Sequence, residues 1–312
     1  MGTPASADRS KSTVAEVRYR RKAVDGIGIF YREAGDPGQP TVALLHGFPS
    51  SSHMIRDLIP KLAGQCHVIA PDYPGFGYSD QPKTTDFKYS FDSLADLMDK
   101  FLQALGVARY SIYIQDYGAP VGMRLFFNHP ERIQAIITQN GNAYTEGLGG
   151  FWADTMEPYW KERNPTTEKK VRALLTLEST KYQYSVGIKD PEALNPDSYT
   201  FDQMTLDRPG NAEIQLALVY DYQNNVARYP KWHETLRKVK PPVLAVWGKN
   251  DPFFIPAGAE AFRKDLPNAE VQFLDTGHFA IETHVVEIAA AMKNFLAAHG
   301  VSRLKAERSA YR

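Results

Sequence analysis

Tyr110-Ser111-Ile112-Tyr113-Ile114-Gln115-Asp116-Tyr117-Gly118-Ala119-Pro120 changes its backbone preference within a few residues. Residues 110–114 are rich in β-branched and aromatic side chains, which predicts a buried strand. From Gly118 onward Val121, Leu125 and Phe126 fall on one helical face, and Asn128-His129-Pro130 ends the pattern. Asp116 therefore stands where a strand turns abruptly into a helix. Its carboxylate would project from that turn, with backbone N–H groups at the helix start pointing toward it. The competing reading is an ordinary polar residue in a strand-end turn, where aspartate is common. The rest of the chain chooses between them.

The same alternation runs outward in both directions. Thr41-Val42-Ala43-Leu44-Leu45 and Cys66-His67-Val68-Ile69-Ala70 are runs of the kind buried on both faces of a sheet. Ser50 to Ser52 offer caps for a helix through Ile55, Leu58, Ile59 and Leu62. Ser90 or Asp92 caps another, with Leu94, Leu97, Met98, Phe101 and Leu105 at helical spacing. Residues 132–138, 243–247 and 271–274 read as strands, and 256–264 and 281–298 as helices. Residues 16–24 and 27–33 flank Asp25-Gly26, a strong hairpin signal. The expected fold is α/β: a mostly parallel, doubly wound sheet opened by an antiparallel hairpin. Residues 142–230 break the alternation with several helical segments and eight of the 17 tyrosines. They read as a helical cap inserted into a core of residues 16–141 and 231–300. Residues 1–15 read as a flexible N-terminus and 301–312 as a C-terminal tail.

Composition narrows the function classes. Lys+Arg and Asp+Glu balance at 36 each, so no electrostatic footprint for nucleic acid or an anionic membrane is present. A single cysteine, Cys66, excludes a disulfide within the chain and fits a reducing compartment. The first dozen residues lack the apolar core of a signal peptide, and no apolar run reaches membrane-spanning length. The expectation is a cytoplasmic protein. No His/Cys/carboxylate cluster has metal-ligand spacing, and Gly75 and Gly77 lack the strand-then-helix context of a dinucleotide site, so no metal or cofactor is expected.

Two further polar groups fall just beyond strands. Trp247-Gly248-Lys249-Asn250-Asp251 places Asp251 after one, and Asp275-Thr276-Gly277-His278 places His278 after the last. The carboxyl ends of parallel strands share one edge, where open α/β sheets bind ligands. Asp116, Asp251 and His278 are thus expected to converge. With His46-Gly47-Phe48-Pro49 and Pro71-Asp72-Tyr73-Pro74-Gly75-Phe76-Gly77-Tyr78-Ser79-Asp80, these motifs make the chain resemble the α/β-hydrolase fold with a cap over nearly all of residues 16–298. Within it the chain resembles the branch with aspartate at the nucleophile elbow: epoxide hydrolases, haloalkane dehalogenases and fluoroacetate dehalogenases. The resemblance implies a hydrolase in which Asp116 displaces a leaving group at carbon and forms an alkyl ester. His278, oriented by Asp251, then activates the water that releases it. By family position the oxyanion donors are the backbone N–H groups of Phe48 and Tyr117. The partners implied are a small apolar organic substrate and water; the oligomeric state is left open.

The leaving group separates the branches. An epoxide oxygen leaves as alkoxide and needs an acid, which epoxide hydrolases supply from cap tyrosines; Tyr222 stands in a late cap helix where one is expected. Tyr159 is a candidate for the second, and Trp152 and Trp160 are candidate pocket residues. A halide needs only N–H donors. Haloalkane dehalogenases commonly have Trp and Asn where this chain has Tyr117 and Phe48, and fluoroacetate dehalogenases have arginines after the nucleophile where Gly118, Ala119 and Pro120 stand. Ile114 and Gln115 lean the other way, toward the dehalogenase elbow. The expected activity is epoxide hydrolysis, with carbon–halogen hydrolysis as the alternative. A ligand-binding protein without turnover is a second alternative.

Overall fold

The computed structural model describes residues 15–301; all but one residue of the expected flexible N-terminus, and all but one of the expected tail, lie outside the described residues. Eight strands form one sheet: β1 (Arg18–Val24), β2 (Ile27–Ala34), β3 (Thr41–Leu45), β4 (His67–Pro71), β5 (Tyr110–Gln115), β6 (Ile133–Gln139), β7 (Val243–Gly248) and β8 (Glu270–Leu274). Their order is β1-β2-β4-β3-β5-β6-β7-β8. The β1–β2 and β2–β4 pairs are antiparallel and the others parallel. Asp25 and Gly26 both take positive φ, 49° and 80°, the conformation a two-residue hairpin needs to match strand twist. From β3 to β7 nearly every residue is buried, because helices cover both faces, and the core divides into two apolar clusters, one on each side of the sheet.

Helix Phe91–Ala104 shows how the pattern becomes packing. Ser90 accepts the Ser93 N–H as cap, and Leu94, Leu97, Met98, Phe101 and Leu102 bury one face. Each such side chain contributes about 1.5–3 kcal/mol relative to exposure. The helices expected elsewhere are modified in three places. The segment after Ser52 runs as successive tight turns, with the Met54, Arg56 and Leu58 N–H groups bonding three residues back, and only Ile59–Leu62 is α-helical. The final helix breaks at His284 into Ala280–Thr283 and Val285–Ala298. Helix Gln223–Val239 runs through residue 230 and carries Pro230 in its interior. An interior proline costs about 3 kcal/mol, offset here by burial of Tyr229, Trp232 and Leu236.

The strand order reverses about β3, whose successors lie on opposite sides: β4 on one, β5 on the other. A crevice forms at such a switch point, beyond the carboxyl ends of the strands. The helices between β6 and β7 are tied to the rest of the chain by polar contacts. Asp202, on helix Pro196–Leu206, accepts hydrogen bonds from Ser50 Oγ at 3.1 Å and from the Tyr184 hydroxyl. Arg56 makes a bidentate pair with Glu282 at 2.9 and 3.0 Å, and Ser198 Oγ joins the same carboxylate at 2.8 Å. Among the described residues no helix is long and apolar enough to cross a membrane.

Candidate active site

Asp116 is the first residue beyond β5 and takes φ 46°, left-handed backbone that aspartate tolerates better than most residues. The turn is tight because helix Gly118–Asn128 begins directly against β3: a Cβ at Gly118 would collide with the Leu45 carbonyl oxygen. The Phe48 and Tyr117 N–H groups both donate to Asp116 Oδ1, at 2.7 and 2.6 Å. Among the described residues Oδ2 accepts no hydrogen bond, and His278 Nε2 lies 3.9 Å from it. One carboxylate oxygen is thus clamped and the other faces the cavity.

The clamp has its own supports. His46 Nε2 accepts the Tyr73 N–H at 3.1 Å, so Nδ1 carries the proton and donates to the Gly47 carbonyl at 3.1 Å. Burial lowers its pKa to about 3, which keeps the ring neutral. Gly47 has no side chain because the elbow leaves no room: a Cβ there would overlap Asp116 Cβ and sit 2.8 Å from Oδ1. Asp72 accepts the Ser52 and Tyr78 N–H groups at 2.7 and 2.8 Å, which ties the loop after β4 to the loop after β3.

His278 Nδ1 and Asp251 Oδ2 are 2.7 Å apart and fully buried. Burial disfavours the imidazolium, but the Asp251 and Asp116 carboxylates outweigh it and raise the His278 pKa. For Asp116 burial dominates. It lifts the carboxyl to about 6, against the opposing pull of His278 and the two N–H donors. Three supporting residues were not anticipated from sequence. Asn140, with φ 47° just after β6, donates to Asp251 Oδ2 at 2.8 Å and accepts the Gly248 N–H at 2.8 Å. Gln139 Nε2 donates to the His278 carbonyl at 3.0 Å, and Gln115 Nε2 lies 3.0 Å from His278 Nε2. The available signal was position: Asn140 ends the strand lying between those of Asp116 and Asp251.

The cavity above Asp116 is small, about 40 Å³, and open at one side. Phe48, Tyr117, Phe253, Phe254 and His278 wall it from the core; Phe151, Trp152, Met156, Leu174, Gln183, Val219 and Tyr222 wall it from the inserted segment. Tyr222 is buried at the junction of helices Asn211–Asp221 and Gln223–Val239, with its ring 6.1 Å from Tyr117, and among the described residues its hydroxyl has no hydrogen-bond partner with proper geometry. Trp152 also lies on the wall, but its indole N–H donates to the Phe253 carbonyl at 2.8 Å.

Tyr159 and Trp160, expected to line the pocket, do not. Residues Trp152–Met156 form a π-helical turn, whose wider winding puts Trp152 and Met156 on the cavity and carries the following turn outward. Tyr159 packs edge-on against Tyr220 and beneath the Arg163 guanidinium. Trp160 lies parallel behind Tyr222 at 6.2 Å, and its N–H donates to the Val219 carbonyl at 2.8 Å. Among the described residues no three His, Cys, Asp or Glu side chains are grouped to hold a metal ion.

With this geometry the arrangement can present an anionic oxygen to carbon, stabilise charge on the other oxygen, and polarise a water. Comparisons with known proteins agree at the level of family. Residues 40–285 match the family model for the α/β-hydrolase fold. The Saccharomyces cerevisiae protein described as uncharacterized hydrolase YNR064C is 48% identical over 275 residues, covering 87% of this chain and 94% of its own. A haloalkane dehalogenase from Bradyrhizobium diazoefficiens is 35% identical over 121 residues, 39% of this chain and 38% of its own. The crystal structure of haloalkane dehalogenase DbeA from Bradyrhizobium elkani superposes with a TM-score of 0.73 at 23% identity, covering 91% of this chain and 99% of that one. The chain belongs to the α/β-hydrolase fold family, with an aspartate, Asp116, at the elbow after β5.

Proposed function

We propose that the protein is an epoxide hydrolase working through a covalent ester on Asp116. Oδ2 attacks one epoxide carbon, the carbon–oxygen bond breaks, and the Tyr222 hydroxyl gives its proton to the departing oxygen. His278 Nε2 then takes a proton from water, and the hydroxide attacks the Asp116 carboxyl carbon. The Phe48 and Tyr117 N–H groups hold the oxyanion formed on Oδ1, donors worth ~2.7–4 kcal/mol each in a comparable hydrolase. Collapse expels the product oxygen, the proton on His278 and the one on the entering hydroxide go to that oxygen and to the Tyr222 phenolate, and the diol leaves with the carboxylate restored. Asp251 and Asn140 keep His278 in the required tautomer.

One observation carries the choice of an epoxide. Among the described residues the Tyr222 phenol on the cavity wall has only the Tyr229 hydroxyl beside it and no hydrogen bond of proper geometry, whereas the Trp152 and Trp160 indole N–H groups are both spent on backbone carbonyls. Of the two wall residues left with an unpaired donor, Tyr222 and Gln183, only the phenol can transfer a proton, which an alkoxide requires and a halide does not. Carbon–halogen hydrolysis is the second reading, favoured by the similarity to a haloalkane dehalogenase over part of the chain. Binding without turnover is the third, and the exposed Oδ2 beside His278 weighs against it. Turnover of 1,2-epoxypentane and of 1-bromobutane, followed as diol and as bromide, separates the three. Diol formation that vanishes in a folded Asp116→Ala variant is expected. Bromide release without diol selects the second reading, and no product from either selects the third.

A further inference from the structure

Gln183 projects into the cavity from helix Leu177–Ser185 and has no role in the reaction derived above. It is 93% buried by virtue of a 7% exposure, and its amide nitrogen makes no hydrogen bond among the described residues. Buried amides are normally paired, because their lost hydration must be replaced. The nitrogen is shielded from the open space as the side chain stands, and turning the amide about its last bond would present it to whatever fills the cavity.

Its place in the wall suggests which part of a substrate it meets. The flanking residues Tyr182 and Tyr184 pack on Phe253 and Phe279, with ring centroids 6.4 and 3.8 Å apart. Those two phenylalanines in turn lie edge-on to His278, at 5.4 and 5.1 Å. Gln183 thus enters from the histidine side, while Tyr222 packs against Tyr117 on the elbow side. Gln183 and Tyr222 reach the cavity wall from different helices. Among the described residues no lysine or arginine lines the cavity, so a carboxylate-bearing substrate would be held without a counter-charge from them.

We propose that Gln183 is a specificity residue whose amide donates to a neutral acceptor oxygen carried by the substrate beyond its reacting carbon. The preferred substrates are then small oxygen-bearing epoxides, such as glycidyl ethers, with plain hydrocarbon epoxides turned over less efficiently. This rests on Asp116 attacking an alkyl carbon, as argued above.

Two substrates of nearly equal shape test it: methyl glycidyl ether and 1,2-epoxypentane, which differ by an ether oxygen in place of a methylene. The ratio of their kcat/KM values should fall about 3–10-fold in Gln183→Leu, the range for one neutral hydrogen bond. Gln183→Met serves if the leucine variant does not fold. An unchanged ratio overturns the proposal. So does an equal loss on both substrates with accumulating ester on Asp116, which would make Gln183 a holder of the hydrolytic water. If the wild type opens neither epoxide, the epoxide reading fails separately, and 1-bromo-2-methoxyethane against 1-bromobutane puts the same question to Gln183. With no turnover of either class, the side-chain amide NMR signal missing from Gln183→Leu is followed as 1,2-dimethoxyethane is added. A displaced signal supports the proposal and an unmoved one overturns it.

Discussion

Replacing Tyr222 by phenylalanine removes a single oxygen atom, and stability and rate should move in opposite directions. The hydroxyl is buried and lacks a well-formed hydrogen bond, so the folded protein carries a desolvation cost of about 1–3 kcal/mol for it. Its contacts are otherwise those of the ring: Phe91 edge-on at 5.6 Å, Trp152 at 4.5 Å and Trp160 stacked behind. Phenylalanine keeps all of these. The melting temperature should therefore stay level or rise, by ~1 kcal/mol at most in stability. Loss of a sole general acid should slow epoxide opening by about 10²–10⁴-fold. The loss will be smaller if the Tyr229 phenol, which neighbours Tyr222 and receives Asn142 Nδ2 at 3.4 Å, takes over part of the task. Burial, the neighbouring Tyr229 phenol and the Asp116 carboxylate raise the Tyr222 pKa well above its ordinary value; alkylation removes that carboxylate's charge and so eases proton release. Diol formation from 1,2-epoxypentane, bromide release from 1-bromobutane and thermal melts on one preparation make the assay. Unchanged epoxide opening in a folded variant would refute the reasoning, as would an equal loss on the bromide.

Three further outcomes are expected. His278→Gln should form the ester on Asp116 without releasing it, so intact-protein mass spectrometry with an epoxide should show a stable adduct; an inactive variant with no adduct contradicts the assigned role. Ester formation should weaken as the pH drops through about 6, where Asp116 takes up its proton and stops being a nucleophile, and a single-turnover rate that stays flat well below that value would count against it. Asp202 is raised to about 7 by burial, so its contribution to stability is complete below the ordinary carboxyl pKa of about 3.9 and is lost as the pH rises through about 7. The melting temperature of the wild type relative to Asp202→Asn should accordingly decline between those two values, and a constant difference would show that Asp202 does not titrate there.

What could be read from the sequence was whatever depends on strand order. The runs ending at Leu45, Gln115 and Gly248 are each buried on both faces, and a parallel sheet puts their carboxyl ends together whatever the helices do. Asp116, Asp251 and His278 meet for that reason, and the Phe48 and Tyr117 N–H groups follow from the turns. The inserted segment obeys no such rule. Three of its helices, Leu177–Ser185, Pro196–Leu206 and Asn211–Asp221, have little amphipathic contrast; Asn211–Asp221 buries Asn211 and Gln215 as well as Ile214 and Leu218, so periodicity marks its inward face only weakly. A π-helical turn over Trp152–Met156 then moved Tyr159 and Trp160 off the cavity, and nothing in Trp152-Ala153-Asp154-Thr155-Met156 announces it. Gln183 escaped notice because a single glutamine in a polar helix carries no pattern; its significance lies in a missing partner.

The clamp on Asp116 Oδ1 makes the two carboxylate oxygens unequal, and an isotope can read that inequality. In the proposed cycle the oxygen entering the product comes from the enzyme, and water only replenishes it. Placed in oxygen-18 water, the protein should release a first diol with no heavy oxygen and keep one in its own chain. Every later diol would then carry the oxygen of the water used one turnover before. Two N–H groups grip Oδ1 throughout, so it should not trade places with the exchanging atom. Peptide mapping after many turnovers should find one heavy oxygen on Asp116 and never two: a molecular record of which side of the carboxylate has done the work.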